Sequence, residues 1–255
     1  MYGKYSNLYA VWCDCYDPKG IELSVIKKYY DLENKDILDI GCGTGRFMMR
    51  VLPIVKSIIG IDNDISSVEV LRQIITERYS CFLSKAAVYC GDITQFNGTK
   101  DSIDAVVFSW SFYALTEEQM VHSLSNINLM LRENGVLIIL QPIGGDFEDI
   151  MRIYFEEHQD KDEYKNALEL MNKVTALQYA RLAEDRITSE FLIKDLDMLR
   201  DALRMFAITE GGCKENNFIE ITLDKAKDIL EKSKEKDGYH LSDKVGIYIF
   251  EKRRK

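Results

Sequence analysis

The segment Asp39-Ile40-Gly41-Cys42-Gly43-Thr44-Gly45-Arg46 holds the residues whose spacing most constrains the chemistry of this chain. A short apolar run, residues 36–40, leads into three alternating glycines, and residues 44–52 then read as a helix stopped near Pro53. Strand, tight turn and helix in that order make a ligand cradle. Glycine accepts left-handed backbone and lets a ligand approach the main chain, and a helix start offers unpaired N–H groups. Two phosphate-binding readings fail on the same residues. The third glycine of the dinucleotide fingerprint falls on Arg46, and no Gly-Lys-Ser/Thr follows the turn as a P-loop requires. Two more acids stand at the ends of apolar runs, in Gly60-Ile61-Asp62 and in Gly91-Asp92-Ile93. An acid about 20 residues past a glycine turn is placed to accept ribose hydroxyls.

The elements that must position these residues alternate in type. Apolar runs at 36–40, 57–61, 86–90, 103–109 and 135–140 have strand length, with helical spacing at 20–30, 66–78 and 117–132. Asp64 or Ser66 is available to cap the helix at 66–78. Near-continuous apolar strands alternating with helices predict a parallel sheet covered on both faces, its ligands at the carboxyl ends of the strands. After the fifth strand the pattern changes. Residues 146–184 read as charged helices with a break near Asp160, 186–193 as a strand and 195–206 as a helix. Residues 218–223 and 245–251 read as the last two strands, flanking a helix at 224–234. The expected architecture is α/β: a Rossmann-like, seven-stranded, mostly parallel sheet with helices on both faces and a helical cap inserted after strand five. Residues 1–145 and 217–255 would form the cofactor-binding domain and 146–216 the cap over the substrate.

Residues 37–47, taken with Gly60-Ile61-Asp62 and Gly91-Asp92-Ile93, resemble the opening motifs of the class I (Rossmann-like) S-adenosylmethionine-dependent methyltransferase superfamily, and the resemblance covers residues 30–142. It implies S-adenosyl-L-methionine as cofactor, with Asp62 on the ribose hydroxyls and Asp92 with Ile93 near the adenine. Gly41, Gly43 and Gly45 would lie against the amino-acid end, where Asp39 orients the turn or receives the amino group through water. Asn63 and Ser109 complete the cofactor-binding set. The cofactor has no phosphate, which fits the absence of a lysine cradle.

Methyl transfer from a sulfonium needs a positioned nucleophile and exclusion of water more than a fixed catalytic set. The strand at 103–109 runs into Trp110-Ser111-Phe112-Tyr113, which lacks the Asn/Asp-Pro-Pro-Tyr/Phe tetrapeptide and the Pro-Cys nucleophile of base-modifying enzymes. The strand at 135–140 runs into Gln141, and Tyr2, Tyr5, Tyr9, Trp12 and Tyr16 form an aromatic stripe at nearly helical spacing. Tyr5, Tyr9, Trp110, Tyr113 and Gln141 are therefore the expected acceptor-binding residues, and Tyr5, His158 and Gln141 the candidate catalytic groups.

A net charge of −9 weighs against a phosphate backbone as partner. The expected acceptor is a small metabolite methylated on nitrogen or oxygen, with no nucleic-acid or membrane partner. RNA or protein methylation, or a non-catalytic cofactor-binding subunit, are the alternatives. Six scattered cysteines make no disulfide framework, the three histidines stand apart, and no metal is expected. The N-terminal stretch has no secretory apolar run, so the expected location is the cytoplasm, as a monomer or homodimer.

Overall fold

The computed structural model describes residues 5–96, 98–155, 163–209 and 217–253. Two helices, α1 (Ser6–Asp14) and α2 (Ile21–Tyr29), precede β1 (Asp36–Ile40). There follow α3 (Met48–Val51), β2 (Ser57–Asp62), α4 (Ile65–Arg78), β3 (Ala86–Cys90), β4 (Ile103–Ser109), α5 (Glu117–Met130) and β5 (Leu131–Gly144). The last part comprises α6 (Asp146–Phe155), α7 (Glu163–Thr175), β6 (Tyr179–Ile193), α8 (Leu196–Thr209), α9 (Asn217–Lys225), α10 (Lys227–Ser233), β7 (Lys234–Glu235) and β8 (Gly238–Lys252).

The strands form one sheet in the order β3-β2-β1-β4-β5-β8-β6, with the two-residue β7 hydrogen-bonded to β8. Neighbours from β3 to β5 are parallel, whereas β8 is antiparallel to both β5 and β6 and is the one reversed strand on that path. Every residue of β1 is buried, as a central strand covered on both faces requires. One face packs on α5 and α7 through Met120, Leu124, Ile127, Met171 and Val174. The other carries α1, α2, α4, α6 and α8, with Trp12, Ile26, Leu71, Ile150 and Leu203 in its core. Two helix starts follow their sequence signals. Asp64 accepts from Ser66 N at α4, and Thr116 with Gln119 forms a capping box at α5.

Four expectations are corrected. Residues 218–223 are helical, inside α9. Their apolar, β-branched composition reads as a strand, but Ile219, Thr222 and Leu223 are the buried positions, at helical spacing. Residues 179–184 belong to β6 rather than to a helix, because the register of that strand with β8 runs from Tyr179 to Ile193. Strand β6 is at the sheet edge, where Arg181, Glu184 and Asp185 are tolerated because no strand pairs with that stretch from outside among the described residues; only its far end is met, by the Tyr16–Phe191 bridge. The regular helix after the glycine turn is only Met48–Val51, since residues 44–47 remain in turns. Finally, segment 146–216 is not a purely helical cap: it supplies β6 to the sheet, flanked by α6, α7 and α8.

Candidate cofactor and acceptor site

Residues 41, 43 and 45 have φ of 69°, 52° and 98°, left-handed values that favour glycine. Space adds a second demand at two of them. A Cβ on Gly41 would stand 2.4 Å from Ser111 Cβ, and one on Gly45 2.5 Å from Leu71 Cδ1. At Gly43 the nearest atom would be Tyr9 Cε1, 3.6 Å away, so α1 covers the middle of the turn without filling it. Neighbouring strand ends hold the turn. Gly41 N and Cys42 N both donate to Ile61 O, and Gly91 N donates to Asp62 O. The Asp62 carboxylate accepts from Gly43 N and from Asp64 N, each at 2.8 Å. One lone pair on each oxygen then remains for a ligand.

Asp39 is buried, and neither of its carboxyl oxygens has a partner of good hydrogen-bond geometry among the described residues. Burial is the main cause that lifts its pKa to about 7; the Arg46 charge opposes the rise, Asp62 adds to it, and the Met48 backbone N–H weakly opposes it. An orphaned buried acid behind a glycine turn is costly unless something with a proton to donate approaches it. This is the observation that fits S-adenosylmethionine: its ammonium suits Asp39, its diol suits Asp62, and its uncharged nucleoside needs no phosphate ligand.

Arg46, directly after the third glycine, turns inward. Its guanidinium pairs with Glu22 Oε2 at 2.8 Å, donates to Ser109 Oγ, and lies 4.1 Å from the Trp110 ring centroid and 4.9 Å from that of Tyr16. Tyr16 Oη donates to Glu22 Oε1 at 3.0 Å. Trp110 is held at φ 60°, an uncommon conformation for a bulky residue and of the kind that gathers at active sites. Around it, rings from distant segments converge. Trp12 lies 4.5 Å from both Phe147 and Phe191, and Tyr16 lies 4.7 Å from Trp110 and 5.0 Å from Phe191. Phe206 closes the group from α8.

The expected residues thus fall into groups. Asp39, the three glycines, Asp62 and Ser109 come together at the turn. Asn63 is exposed, Asp92 is exposed and accepts from Thr94 N, and Ile93 is buried behind it. Tyr9 covers the turn, and α1 is joined to α4 through Ser6 and Ser67 hydroxyls 3.4 Å apart. Half-buried Tyr5 stands just ahead of α1, and half-buried Tyr113 lies in a short turn packed against α7. Gln141 is buried opposite Gly246; alternation with Leu140 places it on the α5 face, away from the ring group. Tyr2 and His158 lie outside the described residues, and His122 is exposed on α5. Sequence reasoning missed Glu22, the inward turn of Arg46, Asp243, Phe147, Phe191 and Phe206. An arginine directly after three glycines was the one local signal.

A cavity of about 160 Å³ opens between α1 and the turn, lined by Cys13, Thr44, Gly45, Arg46, Met49 and Tyr79. A wider cleft of about 470 Å³, at α8, α9 and α10, shares no residue with it, and the charged Arg200 and Glu220 in its wall are paired at 2.8 Å. His240 gathers with Glu235 and Asp237, but its ring nitrogens face Asp237 at 3.0 Å and Glu190 at 3.2 Å. These acids raise its pKa and favour an imidazolium, which has no lone pair for a metal.

The strand order, the glycine turn and the acid closing β2 define a Rossmann-like methyltransferase domain, and the comparisons agree. Residues 37–135 match the family model described as a methyltransferase domain. A probable S-adenosylmethionine-dependent methyltransferase of Saccharomyces cerevisiae is 26% identical over 144 residues, 54% of this chain and 47% of that relative. An uncharacterized methyltransferase of Oceanobacillus iheyensis is 23% identical over 228 residues, 85% of this chain and 94% of that one. Among solved structures, the MccD protein superposes with a TM-score of 0.61 at 15% identity, covering 94% of this chain and 100% of its own. A putative methyltransferase from Bacillus halodurans gives 0.55 at 15% identity, covering 92% and 100%. Residues 37–135 are thus a methyltransferase domain, the chain is similar to S-adenosylmethionine-dependent methyltransferases, and S-adenosylmethionine is its cofactor.

Proposed function

We propose that this methyltransferase acts on a nitrogen or oxygen of a small molecule that enters beneath the ring group of Trp12, Tyr16, Trp110, Phe147, Phe191 and Phe206. The observation that carries this reading is the closure of that group. Trp12, Tyr16 and Phe191 are buried, and the rings come from α1, α6, β6 and α8 as well as from the end of β4. An apolar enclosure with few polar groups suits a small acceptor and excludes the water that would compete for a methyl group. Bound S-adenosylmethionine supplies a methyl already activated on sulfur. The chain's own tasks are to hold the cofactor through Asp39, the glycine turn and Asp62, and to orient the acceptor against Trp110.

The 160 Å³ cavity under α1 is below the roughly 300–1,000 Å³ of ordinary ligand sites. In this reading α1 lifts to admit ligands and closes over them. Among the described residues no helix is long and apolar enough to cross a membrane. The names of relatives do not select an acceptor. One is a carboxy-S-adenosyl-L-methionine synthase of Shewanella sediminis, and another an N-terminal Xaa-Pro-Lys N-methyltransferase of Xenopus tropicalis.

Methyl-labelled cofactor should transfer label to a component of a metabolite extract and not to total RNA or protein. Label confined to RNA or protein, with binding that weakens steeply as salt rises, would reject the small-acceptor reading.

A further inference from the structure

We infer that Asp243 is the acceptor-binding acid of this site and that the acceptor is an amine. The inference rests on the small-molecule reading above and names its substrate class. Asp243 lies on β8 directly opposite Ser189 of β6 and one residue beyond the Lys244–Gly144 pair, at the sheet edge where the glycine turn also opens. Alternation along β8 puts it on the same face as Leu241, Val245 and Ile247, the face carrying Trp12, Tyr16 and Phe191. Phe191, two residues from Ser189, is its diagonal neighbour across the strands. Asp243 is 3% exposed, and its Oδ2 has no hydrogen-bond partner among the described residues.

A count of the charges around Asp243 shows what is missing. Glu22 is paired with Arg46 at 2.8 Å, Asp17 with Arg50 at 3.4 Å, and Glu148 with Arg152 at 3.4 Å. Asp243 has no ion-pair partner among the described residues. The Tyr16 hydroxyl is shared between two acids: it donates to Glu22 Oε1 at 3.0 Å and also lies in hydrogen-bond reach of Asp243, so it cannot fully serve both. The groups that act on Asp243 are Glu22 from α2, Arg46 from the turn, Glu148 from α6 and Tyr16 after α1. Burial, with Glu22 and Glu148 adding to it and Arg46 opposing, drives its carboxyl well above the usual range. A buried acid left over after these three arginines are matched is expensive as an anion, and an incoming cation relieves that cost. An alcohol would leave the charge unmatched, and a carboxylate would add to it. The neighbouring rings suit the same ligand: the faces of Trp110 and Tyr16 already hold a guanidinium, and the Trp110 indole N–H has no hydrogen-bond partner among the described residues.

The chemistry balances. The ammonium gives one proton to the Asp243 carboxylate, which frees the nitrogen lone pair. That pair forms the N–C bond to the methyl while the C–S bond breaks and leaves its electrons on sulfur. The products are a protonated methylamine and a neutral thioether.

The only two tryptophans of the chain, Trp12 and Trp110, both belong to the ring group, so their fluorescence reports directly on this site. With S-adenosylhomocysteine saturating, the protein is titrated with benzylamine, benzyl alcohol and phenylacetate. The wild type is expected to bind benzylamine at least tenfold more tightly than either other probe. Asp243→Asn should reduce benzylamine to the level of the alcohol while binding S-adenosylhomocysteine as the wild type does. Equal binding of the three probes by the wild type, or an amine preference that survives Asp243→Asn, would overturn the inference. The wild-type ranking decides the question even if the variant folds poorly. Failure of the small-acceptor reading has a different signature: none of the probes would perturb the tryptophans, and label would go to a macromolecule.

Discussion

Arg46→Ala is expected to cost about 3–5 kcal/mol of folding stability, because it leaves the Glu22 carboxylate buried with no cation. Glu22 and Arg46 are 1% and 5% exposed at their side chains, and no other cation is paired with Glu22 among the described residues. The same change removes the cation lying against Trp110 and Tyr16 and the donor to Ser109 Oγ. Urea unfolding measures the loss. The paired replacement of Arg46 by Met and Glu22 by Leu should recover most of it, since removing both charges avoids the unpaired one. A single variant within about 1 kcal/mol of the wild type would show that Glu22 does not carry a buried charge.

Asp39→Asn is expected to stabilise the ligand-free protein at neutral and alkaline pH while weakening the cofactor. The folded pKa of Asp39, raised by burial first, is about 7 against an ordinary value of 3.8. A folded pKa above the unfolded one contributes stability that is fully present below the unfolded value and lost as pH rises through the folded value. The window therefore runs from pH 3.8 to about 7. An asparagine does not ionise, so the variant's stability relative to wild type should grow by about 4 kcal/mol between pH 4 and pH 8. Calorimetric affinity for S-adenosylmethionine should fall at least tenfold in the same variant. A stability difference flat with pH would place Asp39 in a polar or solvated setting.

The two consequences oppose each other because the cofactor cradle keeps a group that the empty fold tolerates poorly. Asp243 repeats this on the acceptor side. In each case a buried acid has no cation paired with it among the described residues where a ligand is expected, a conflict between stability and function that is concentrated at sites.

The glycine turn and its acids were legible in the sequence because their information is local. Glycine spacing fixes the backbone of the turn, and an acid at the end of a neighbouring strand lands beside it whatever lies farther along the chain. The β1 to β5 core was legible for a related reason: strands covered on both faces are mostly apolar, with the acids of β1 as exceptions. Past β5 local cues misled. Residues 218–223 have strand-like composition, yet burial of Ile219, Thr222 and Leu223 selects a helix. The polar start of β6 resembles an exposed helix, and only its pairing with β8 makes it a strand. The acceptor side could not be read for the same reason. Glu22 meets Arg46, Asp243 faces Ser189, and Phe147, Phe191 and Phe206 meet Trp12 only after the sheet edge has assembled.

The most direct test of the account is calorimetric titration of the ligand-free protein with S-adenosylhomocysteine and, separately, with NADH, repeated on Asp62→Ala. The account expects S-adenosylhomocysteine to bind in the micromolar range or tighter, about −8 kcal/mol, and NADH not to bind. Asp62→Ala should lose about 2–3 kcal/mol, because the ribose hydroxyls lose a charged acceptor and the Gly43 amide loses its own. Binding of NADH in place of S-adenosylhomocysteine, or unchanged affinity in Asp62→Ala, would contradict it.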